Sequence, residues 1–397
     1  METCELKITG LADSGDGVGR VEGMVHFVPF SAPGDELIVE PVSRKKNFIR
    51  SQIMEITRPS ADRIEPPCQY FGKCGGCSWQ HVSYQAQLAA KQAIVRDALL
   101  RIGRFSGAEV EPTVPSPREL GYRRRARFNL DSGRLGFSIR GSHRFVAVED
   151  CLLLEPELKP VFNFVRDFLK EIRPRSLAFT SCEMTRDEDG VVSVDFIPPA
   201  ARKDREELLQ LAEMAGLKIA VDSRRREFVQ ANRALNEILV QAVARELKPG
   251  PEERVLELFA GSGNFSFAFS PVSGRILAIE RNPAAVRAAE KRRAELGLDR
   301  LTFSQGDAAG ELKKLTEKGE SFDLVLLNPP REGGKEELGL ALKLNPRRIV
   351  YISCTPAILA RDLSLPAESG YRVLKVTPFD MFPQTPHVEV LTVITRI

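Results

Sequence analysis

Two ionisable side chains near the carboxyl end of the chain could together attack a ring carbon and later remove a proton from it. Cys354 follows the apolar run 349–352 and precedes Pro356, a pattern that predicts a buried strand with the thiol at its end. Glu389 and His387 follow a proline-rich turn and lead into a final apolar run. We expect Glu389 to act as the base. His387 is the weaker candidate, because such a histidine more often orients its neighbours by hydrogen bonding.

This pair of side chains suits the methylation of a pyrimidine ring at carbon C5. The C5 atom of uracil or cytosine is a weak nucleophile, so a thiolate must first add to C6 and produce an enolate that attacks a sulfonium methyl group. A base must then take the C5 proton before the cysteine can leave. The attack comes from above the ring plane, which stacking blocks, so the target base must be flipped out.

Polar residues that follow successive apolar runs predict a pocket for S-adenosylmethionine. Gly261 and Gly263 would let the backbone pass close to a ligand at the start of a helix. Glu280 ends the second run, where a carboxylate can bind both ribose hydroxyls, and Asp307 follows the third, where it can bind the adenine amino group. Asn328 ends the fourth run before two prolines, which aim it at a planar base or at the methionine amino group. No phosphate-binding lysine accompanies these residues, which favours S-adenosylmethionine over a nucleotide phosphate.

A cluster of cysteines predicts a metal site. Cys68, Cys74 and Cys77 lie in one loop with two adjacent glycines, which can wrap the backbone around a single centre. Cys151 is the best candidate for a fourth ligand, and Cys182 is the second. Four thiolates suit structural zinc or an iron–sulfur cluster, and the spacing alone does not decide between them.

Composition excludes several classes of protein. The chain has 397 residues, of which 43% are hydrophobic and 28% charged, as is typical of a globular protein with two or three domains. No apolar run reaches the roughly 18 residues that a membrane span needs, and the amino terminus is charged, so we expect a cytoplasmic protein. We also expect a monomer. Seven cysteines, an odd number, then indicate metal binding or catalysis rather than disulfides.

Two basic segments predict contact with a polyanion. The net charge of +3 is too small to indicate this by itself. The segment 122–128 contains four arginines, three of them consecutive, and cations on both faces of a strand favour phosphate contact over surface ion pairs. The segment 44–50 combines four cations with Phe48, which suits a surface that follows a nucleic-acid backbone and stacks one ring. A solvated edge strand that charge protects is the alternative for this segment.

The elements that must position these residues fall into three parts. Short apolar segments between turn residues predict a small antiparallel barrel from 4 to about 56, and a helix is expected at 80–102 with Gly103 as its stop. Beyond residue 250 strand-like runs alternate with helical stretches, which predicts a doubly wound parallel α/β sheet with ligands at the carboxyl ends of its strands. The runs are 254–259, 275–279, 301–304, 322–327 and 347–353.

This combination resembles the RNA 5-methyluridine methyltransferase family, enzymes that methylate uracil C5 in ribosomal or transfer RNA. The segments 353–357 and 387–389 match the family's nucleophile and base motifs. The resemblance implies a TRAM-like RNA-binding barrel at 1–58, a central α+β domain with an iron–sulfur cluster at 59–225, and a Rossmann-like class I S-adenosylmethionine methyltransferase domain at 226–397.

The resemblance also implies the ligands of two cofactors. A 4Fe-4S cluster would be bound by four cysteines, Cys68, Cys74, Cys77 and Cys151. The segment 228–232 resembles the family's Phe-x-Gln-x-Asn motif, which implies that Gln230 contacts S-adenosylmethionine. The other implied contacts to this cofactor are Phe259, Asn264, Glu280, Asp307 and Asn328.

The sequence departs from the family at two positions and leaves alternatives for the function. Asn328 stands where the family usually has Asp, so its neutral side chain can form hydrogen bonds but cannot act as an acid or base. Thr355 replaces the commoner Asn. Cytosine-C5 methyltransferases carry a cysteine next to the fourth-strand proline motif, and amino-group methyltransferases carry an aromatic ring there, whereas this chain has Arg331. We expect a 23S ribosomal RNA uracil-C5 methyltransferase; a transfer RNA enzyme and a non-catalytic iron–sulfur RNA-binding protein are the alternatives.

Overall fold

The computed structural model describes residues 2–105, 109–172, 175–222 and 229–397. The chain divides into two compact units. Unit 1 comprises Met1–Ala90, Pro117–Ala234 and Phe382–Pro386, and unit 2 comprises Lys91–Ser116, Leu235–Met381 and His387–Ile397. Phe228 and the expected domain boundary at 225–226 lie outside the described residues. The division into 1–58, 59–225 and 226–397 therefore stays a prediction.

Unit 1 begins with a barrel. Five strands close it among the described residues: β1 (Cys4–Leu11), β2 (Gly17–Val21), β3 (Met24–Val28), β4 (Glu36–Arg44) and β5 (Phe48–Arg58). Alternate side chains fill its core, among them Leu6, Val28 and Val39. β3 and β5 pair in parallel and the other neighbours are antiparallel, because β5 returns from its hairpin with β4 to lie beside β3. The expected all-antiparallel barrel is wrong at this seam.

A helix follows the barrel and its cysteine-bearing loop. Helix α1 spans Tyr84–Ala98, and a π-helical turn, Leu99–Gly103, continues it to the predicted stop. The helix begins four residues later than predicted. Ser83 explains the difference, because its hydroxyl accepts a hydrogen bond from the Ala86 amide and so caps the first turn.

The second half of unit 1 is a mixed sheet covered by two helices. Its strands follow the order β11-β10-β9-β6-β7-β8 among the described residues. They are β6 (Arg125–Asp131), β7 (Arg134–Ser138), β8 (Phe145–Ala147), β9 (Ser181–Arg186), β10 (Val192–Ile197) and β11 (Ile219–Val221). Helices α2 (Lys159–Glu171) and α3 (Arg202–Met214) contribute to its core, where Phe128 packs against Phe162 with ring centroids 5.0 Å apart.

Unit 2 contains the α/β sheet. Its strands are β12 (Arg254–Leu258), β13 (Arg275–Glu280), β14 (Leu301–Gln305), β15 (Leu324–Leu327), β16 (Arg348–Ser353), β17 (Tyr371–Phe379) and β18 (Glu389–Arg396). In the part of the chain that the structure describes, their order is β14-β13-β12-β15-β16-β18-β17. The first five are parallel, as predicted, and β18 pairs antiparallel with both β16 and β17. The sheet is therefore mixed at one edge, where a hairpin is inserted.

One helix precedes these strands and others connect them. They are α4 (Arg233–Leu247), α5 (Ser266–Phe269), α6 (Pro283–Glu295), α7 (Ala308–Glu317), α8 (Lys335–Lys343), α9 (Pro356–Asp362) and α10 (Leu365–Glu368). Buried residues of the strands and helices form one apolar core around the central strands, which holds the carboxyl ends of β12 to β16 in fixed positions. Among the described residues, no helix is long and apolar enough to cross a membrane.

Candidate active site

Cys354 and Glu389 occupy neighbouring strand ends in the sheet of unit 2. β16 ends at Ser353, directly before Cys354, and β18 begins at Glu389. The two strands run antiparallel with Ser353 opposite Val390, so the next positions along the pair are Cys354 and Glu389. The sheet therefore brings together the two residues that the sequence predicts as nucleophile and base. His387 lies two residues before β18 and is exposed.

Burial and nearby groups set the pKa values of the two side chains. Burial raises the pKa of Glu389 to about 7, and Arg331 opposes this rise. Burial raises the pKa of the Cys354 thiol, as does the charge of Glu389, whereas Thr355 and Arg331 lower it. The Cys354 Sγ lies 3.8 Å from the Thr355 Oγ1. A carboxylate with a pKa near 7 can accept a proton at neutral pH, as a general base must.

Arg331 belongs to a loop that a buried hydrogen-bond network holds. The amide of Gly334 donates to the Tyr351 Oη at 2.9 Å and to the Asp362 Oδ2 at 3.0 Å. The Tyr351 hydroxyl donates to the same carboxylate oxygen at 2.7 Å, and Arg361 donates to the other oxygen. Tyr351 and Asp362 are fully buried. Local sequence patterns assign no role to any of these residues, because the network joins three separate segments.

The glycine turn after β12 is tied to the end of β13. Glu280 accepts hydrogen bonds from the amides of Gly261 (2.8 Å) and Asn282 (2.7 Å), so its carboxylate is fixed at the strand end. Gly261 has φ +59°, and a Cβ atom there would meet nothing within 4 Å. Phe259 also has a positive φ, +61°, which is strained for a residue with a side chain. Open space therefore lies beside the backbone at Gly261, whereas at Gly263 a Cβ atom would meet the ring of Phe267 at 2.5 Å.

Three further predicted cofactor residues lie in the same unit. Asp307 caps α7, where one oxygen accepts from the Gly310 amide at 3.1 Å and the side chain stays exposed. Asn328 follows β15 and is partly exposed. Asn264 forms a reciprocal amide pair with Asn236, at 2.8 and 3.1 Å, which sequence patterns do not indicate. Gln230 belongs to unit 1.

Glu257 is a buried carboxyl group that sequence patterns also leave without a role. It is completely inaccessible to solvent in β12, and its Oε2 accepts a hydrogen bond from the Ser266 hydroxyl. Burial raises its pKa to about 8. The protonated form is therefore favoured at neutral pH, and the pair links β12 to α5 on either side of the glycine turn.

The four predicted metal ligands are close enough to affect one another's pKa values. The charges of Cys68 and Cys151 raise the pKa of the Cys74 thiol, in addition to burial, and Cys151 and Cys74 act on Cys77 in the same way. Cys182 instead lies in the core of the mixed sheet, where its charged neighbours are acidic residues. Cys151, not Cys182, thus accompanies the loop cysteines. Among the described residues, no three potential ligands are close enough to hold one metal ion.

A cation lies beside the cysteines. The charge of Arg123 lowers the pKa of Cys74, Cys77 and Cys151. Its amide donates to the Leu153 carbonyl at 2.7 Å, which places the residue next to the Cys151 turn. Burial nevertheless raises all three pKa values, that of Cys77 to about 12, so Arg123 only partly offsets the cost of forming the thiolates that bind metals.

The two basic segments differ in how their charges are used. In the arginine segment, Arg124 pairs with Glu188 at 2.7 Å and Arg125 with Glu183 at 3.0 Å, so ion pairs within the protein account for these two cations. Arg127 is exposed. The segment 44–50 keeps four exposed cations around Phe48, whose ring lies edge-on to Phe27 with centroids 5.5 Å apart.

The parallel sheet with a glycine turn and acidic strand ends defines a class I S-adenosylmethionine-dependent methyltransferase. Residues 201–397 match the tRNA (uracil-5-)-methyltransferase family model, and residues 1–53 match the TRAM domain model. An uncharacterised RNA methyltransferase of Bdellovibrio bacteriovorus is 35% identical over 98% of this chain and 93% of its own length. The 23S rRNA (uracil(1939)-C(5))-methyltransferase RlmD is 32% identical in Shewanella sp. strain ANA-3 (95% of this chain, 92% of that protein) and in Acidithiobacillus ferrooxidans (99% and 97%).

A solved structure has the same fold. The tRNA (uracil-54, C5)-methyltransferase of Pyrococcus abyssi, in complex with S-adenosyl-L-homocysteine, matches with a TM-score of 0.72 and 22% identity, over 98% of this chain and 99% of that one. The chain belongs to the RNA uracil-C5 methyltransferase family. It is an S-adenosylmethionine-dependent RNA (uracil-5-)-methyltransferase with an amino-terminal TRAM domain, as the sequence motifs predict.

Proposed function

We propose that this enzyme forms 5-methyluridine in 23S ribosomal RNA, with Cys354 as nucleophile and Glu389 as base. The observation that carries the proposal is the placement of these two residues at adjacent strand ends with Arg331 acting on both. Ribosomal RNA is favoured because relatives named for 23S uracil 1939 match over nearly their whole length. A transfer RNA substrate is the second candidate, since the matching family model carries that name.

The protein residues would act in a fixed order. The Cys354 thiolate adds to C6 of a flipped-out uridine, which places the electron pair on the C5–C4–O4 enolate. S-adenosylmethionine, when bound, supplies an electrophilic methyl group for C5. Glu389 then takes the C5 proton, the ring electrons reform the C5=C6 bond, and the Cys354 sulfur leaves. Arg331 favours the ionised forms of both side chains.

The residues that would hold S-adenosylmethionine are those predicted from the sequence. Glu280 would bind the ribose hydroxyls, Asp307 the adenine amino group, and Asn328 the methionine end or the target base. The open space at Gly261 and the partial exposure of Glu280 support this assignment. We assign the remaining contacts to Gln230, Phe259 and Asn264 from the family motif.

We further propose that Cys68, Cys74, Cys77 and Cys151 bind a 4Fe-4S cluster. The effect of these cysteines on one another's pKa values and the adjacent Arg123 support the placement of the four side chains in one group. Such a cluster binds each thiolate at a different iron atom, so its ligands need not converge on one point. Structural zinc would require that convergence. No redox step occurs in the reaction, so the cluster would have a structural role.

The RNA-binding role of the barrel follows from its exposed cations and from the TRAM match. Phe48 would stack on a base while the cations of segment 44–50 contact phosphates. We retain the three domains 1–58, 59–225 and 226–397 as the proposed division, and a cytoplasmic location and a monomeric state as expectations.

A Cys354→Ala variant tests the proposal. The substrate is a transcript of the 23S stem-loop that contains the uridine equivalent to position 1939, with a transfer RNA transcript as comparison. We expect 5-methyluridine to be lost from the variant and to form only in the ribosomal transcript with the native enzyme. Undiminished 5-methyluridine in the variant would exclude Cys354 as nucleophile, and methylation of the transfer RNA alone would support the second candidate.

A further inference from the structure

The short segment Phe382–Pro386 packs with a different part of the chain from its neighbours in sequence. It belongs to unit 1, whereas Met381 before it and His387 after it belong to unit 2. The segment ends three residues before Glu389, the proposed base and the first residue of β18. Two residues, His387 and Val388, connect it to the start of β18.

The residues that follow Cys77 hold the main chain of this segment. The amides of Ser78 and Trp79 both donate to the Gln384 carbonyl, at 2.9 and 3.1 Å. The Trp79 side chain is fully buried and donates to the Gly15 carbonyl at 3.1 Å, so this anchor is itself fixed. The Tyr122 hydroxyl donates to the Pro383 carbonyl at 3.1 Å. Two consecutive carbonyls of the segment are thus bound, that of Gln384 by the residues that follow the cysteine loop and that of Pro383 by Tyr122.

Gln87 in α1 completes the attachment through a reciprocal pair. The Gln384 amide donates to the Gln87 Oε1 at 3.0 Å, and the Gln87 Nε2 lies 3.0 Å from the Gln384 Oε1. The Gln87 Nε2 also donates to the Val82 carbonyl at 2.9 Å. Both glutamines are buried, with exposures of 1% and 6%. Gln384 has φ +69°, a left-handed conformation that is strained for a residue with a side chain.

This arrangement costs free energy in two ways. A left-handed backbone and two buried amide side chains are retained only where other contacts outweigh them. Pro383 and Pro386 stiffen the segment, and the Thr385 hydroxyl donates to the Phe382 carbonyl at 2.7 Å, so a shift of Gln384 is passed on along the chain. A catalytic base displaced by about 1 Å can lose about 100-fold in rate.

We propose that Gln87 and Gln384 are positioning residues for Glu389, through which the segment after the cysteine loop sets the place of the base. This inference rests on the proposed role of Glu389. The amide pair of Gln87 and Gln384 forms a glutamine clasp on the segment. Cys354 directly follows β16 and does not belong to this segment, so addition to C6 and methyl transfer depend less on the clasp than proton removal does. Loss of the clasp should therefore slow the last step selectively and leave methylated RNA covalently bound to the enzyme.

Two variants test the clasp. Gln384→Gly removes the side chain and suits the positive φ, and Gln87→Met keeps the size of the side chain but cannot form the amide pair. Each full-length variant is incubated with the 23S stem-loop transcript and S-adenosylmethionine that carries a labelled methyl group. Label in the protein–RNA adduct and in free RNA is followed on denaturing gels. We expect the adduct to break down about tenfold more slowly than with the native enzyme, at a nearly unchanged rate of methyl incorporation.

Matched controls separate positioning from stability. Gln92→Met removes one glutamine from the same helix, where its Nε2 donates to the Val110 carbonyl at 2.9 Å, and should leave adduct breakdown within about twofold of the native rate. Glu389→Gln should trap the adduct.

Trapping by Glu389→Gln with normal breakdown in both clasp variants would overturn the clasp and leave Glu389 as the base. If the clasp variants lose adduct and product equally, in proportion to a lower melting temperature, the effect is one of stability and the clasp is also overturned. Absence of trapping in Glu389→Gln would overturn both assignments.

Discussion

At the scale of single residues, Arg331 explains how a thiol and a carboxyl group can share one buried site. Burial disfavours the charged form of each, and the two negative charges would repel each other. The chain has no lysine or histidine next to Cys354 in sequence. The cation instead comes from the loop after β15, beside β16 in the sheet, and opposes the rise that burial causes in the pKa of both groups.

The rate of adduct breakdown should depend on pH. Glu389 must be ionised to take the C5 proton, and its pKa is raised to about 7, so breakdown should accelerate as the pH rises through about 7. Arg331→Met removes the cation that lowers this pKa. The rise in rate should then occur about one pH unit higher. Release of labelled RNA from preformed adduct, measured between acidic and alkaline pH, gives both profiles.

A second arginine provides the control for this measurement. Arg372 is exposed in β17, and Arg372→Met also removes one positive charge. Its profile should coincide with that of the native enzyme. If both substitutions shift the profile equally, the effect of Arg331 is one of net charge, and a direct action on Glu389 is excluded.

At the scale of secondary-structure elements, the loop that carries Arg331 is held by contacts from β16 and α9. Tyr351 projects from β16 and Asp362 ends α9, and both bind the amide of Gly334. A buried amide or carboxylate that loses its partner is costly, so the network keeps the loop in one position. Arg331 therefore has a defined place relative to the strand end that delivers Cys354.

A pair of tyrosines allows this role to be tested. Tyr351→Phe removes the hydroxyl that donates to Asp362 and accepts from Gly334, and should lower the free energy of unfolding by about 1–3 kcal/mol. The Tyr371 hydroxyl donates to the Pro346 carbonyl at 2.8 Å, at the opposite end of the same sheet. Tyr371→Phe should cause a similar loss of stability in urea unfolding but should retain methylation. Equal activity of the two variants would contradict a role of the network in the site.

The elements differ in how far the sequence predicts them. The parallel strands agree with the apolar runs to within about two residues, because strands buried on both faces are continuously apolar. The insertion of β18 between β16 and β17 could not be predicted, since pairing partners and strand direction leave no local pattern. The start of α1 depended on the Ser83 cap. Arg331, Tyr351, Asp362 and the glutamine clasp were missed for the same reason, as each acts through contacts between distant segments.

At the scale of the whole molecule, the cysteine-bearing part of unit 1 is connected by hydrogen bonds to the segment that leads to the base. Cys77 directly precedes Ser78 and Trp79, whose amides hold Gln384. A metal bound by the cysteines would fix the conformation of this stretch, because it closes loops that are otherwise free. The proposed cluster could thus serve catalysis without any change in its oxidation state.

Two cysteines of unit 1 should differ in their effect on bound iron. Cys151→Ala should lose bound iron, because Cys151 lies among the loop cysteines, and the iron-free protein should release methylated RNA slowly, as the clasp variants do. Cys182→Ala should keep its iron and release RNA at the native rate. It should lose only about 1 kcal/mol of stability, because Cys182 is a core residue of the mixed sheet.

Iron content after anaerobic purification, adduct breakdown and urea unfolding are measured on both variants. Iron loss from Cys182→Ala would contradict the ligand set, and iron-free Cys151→Ala with normal release would show that the metal site does not act on Glu389.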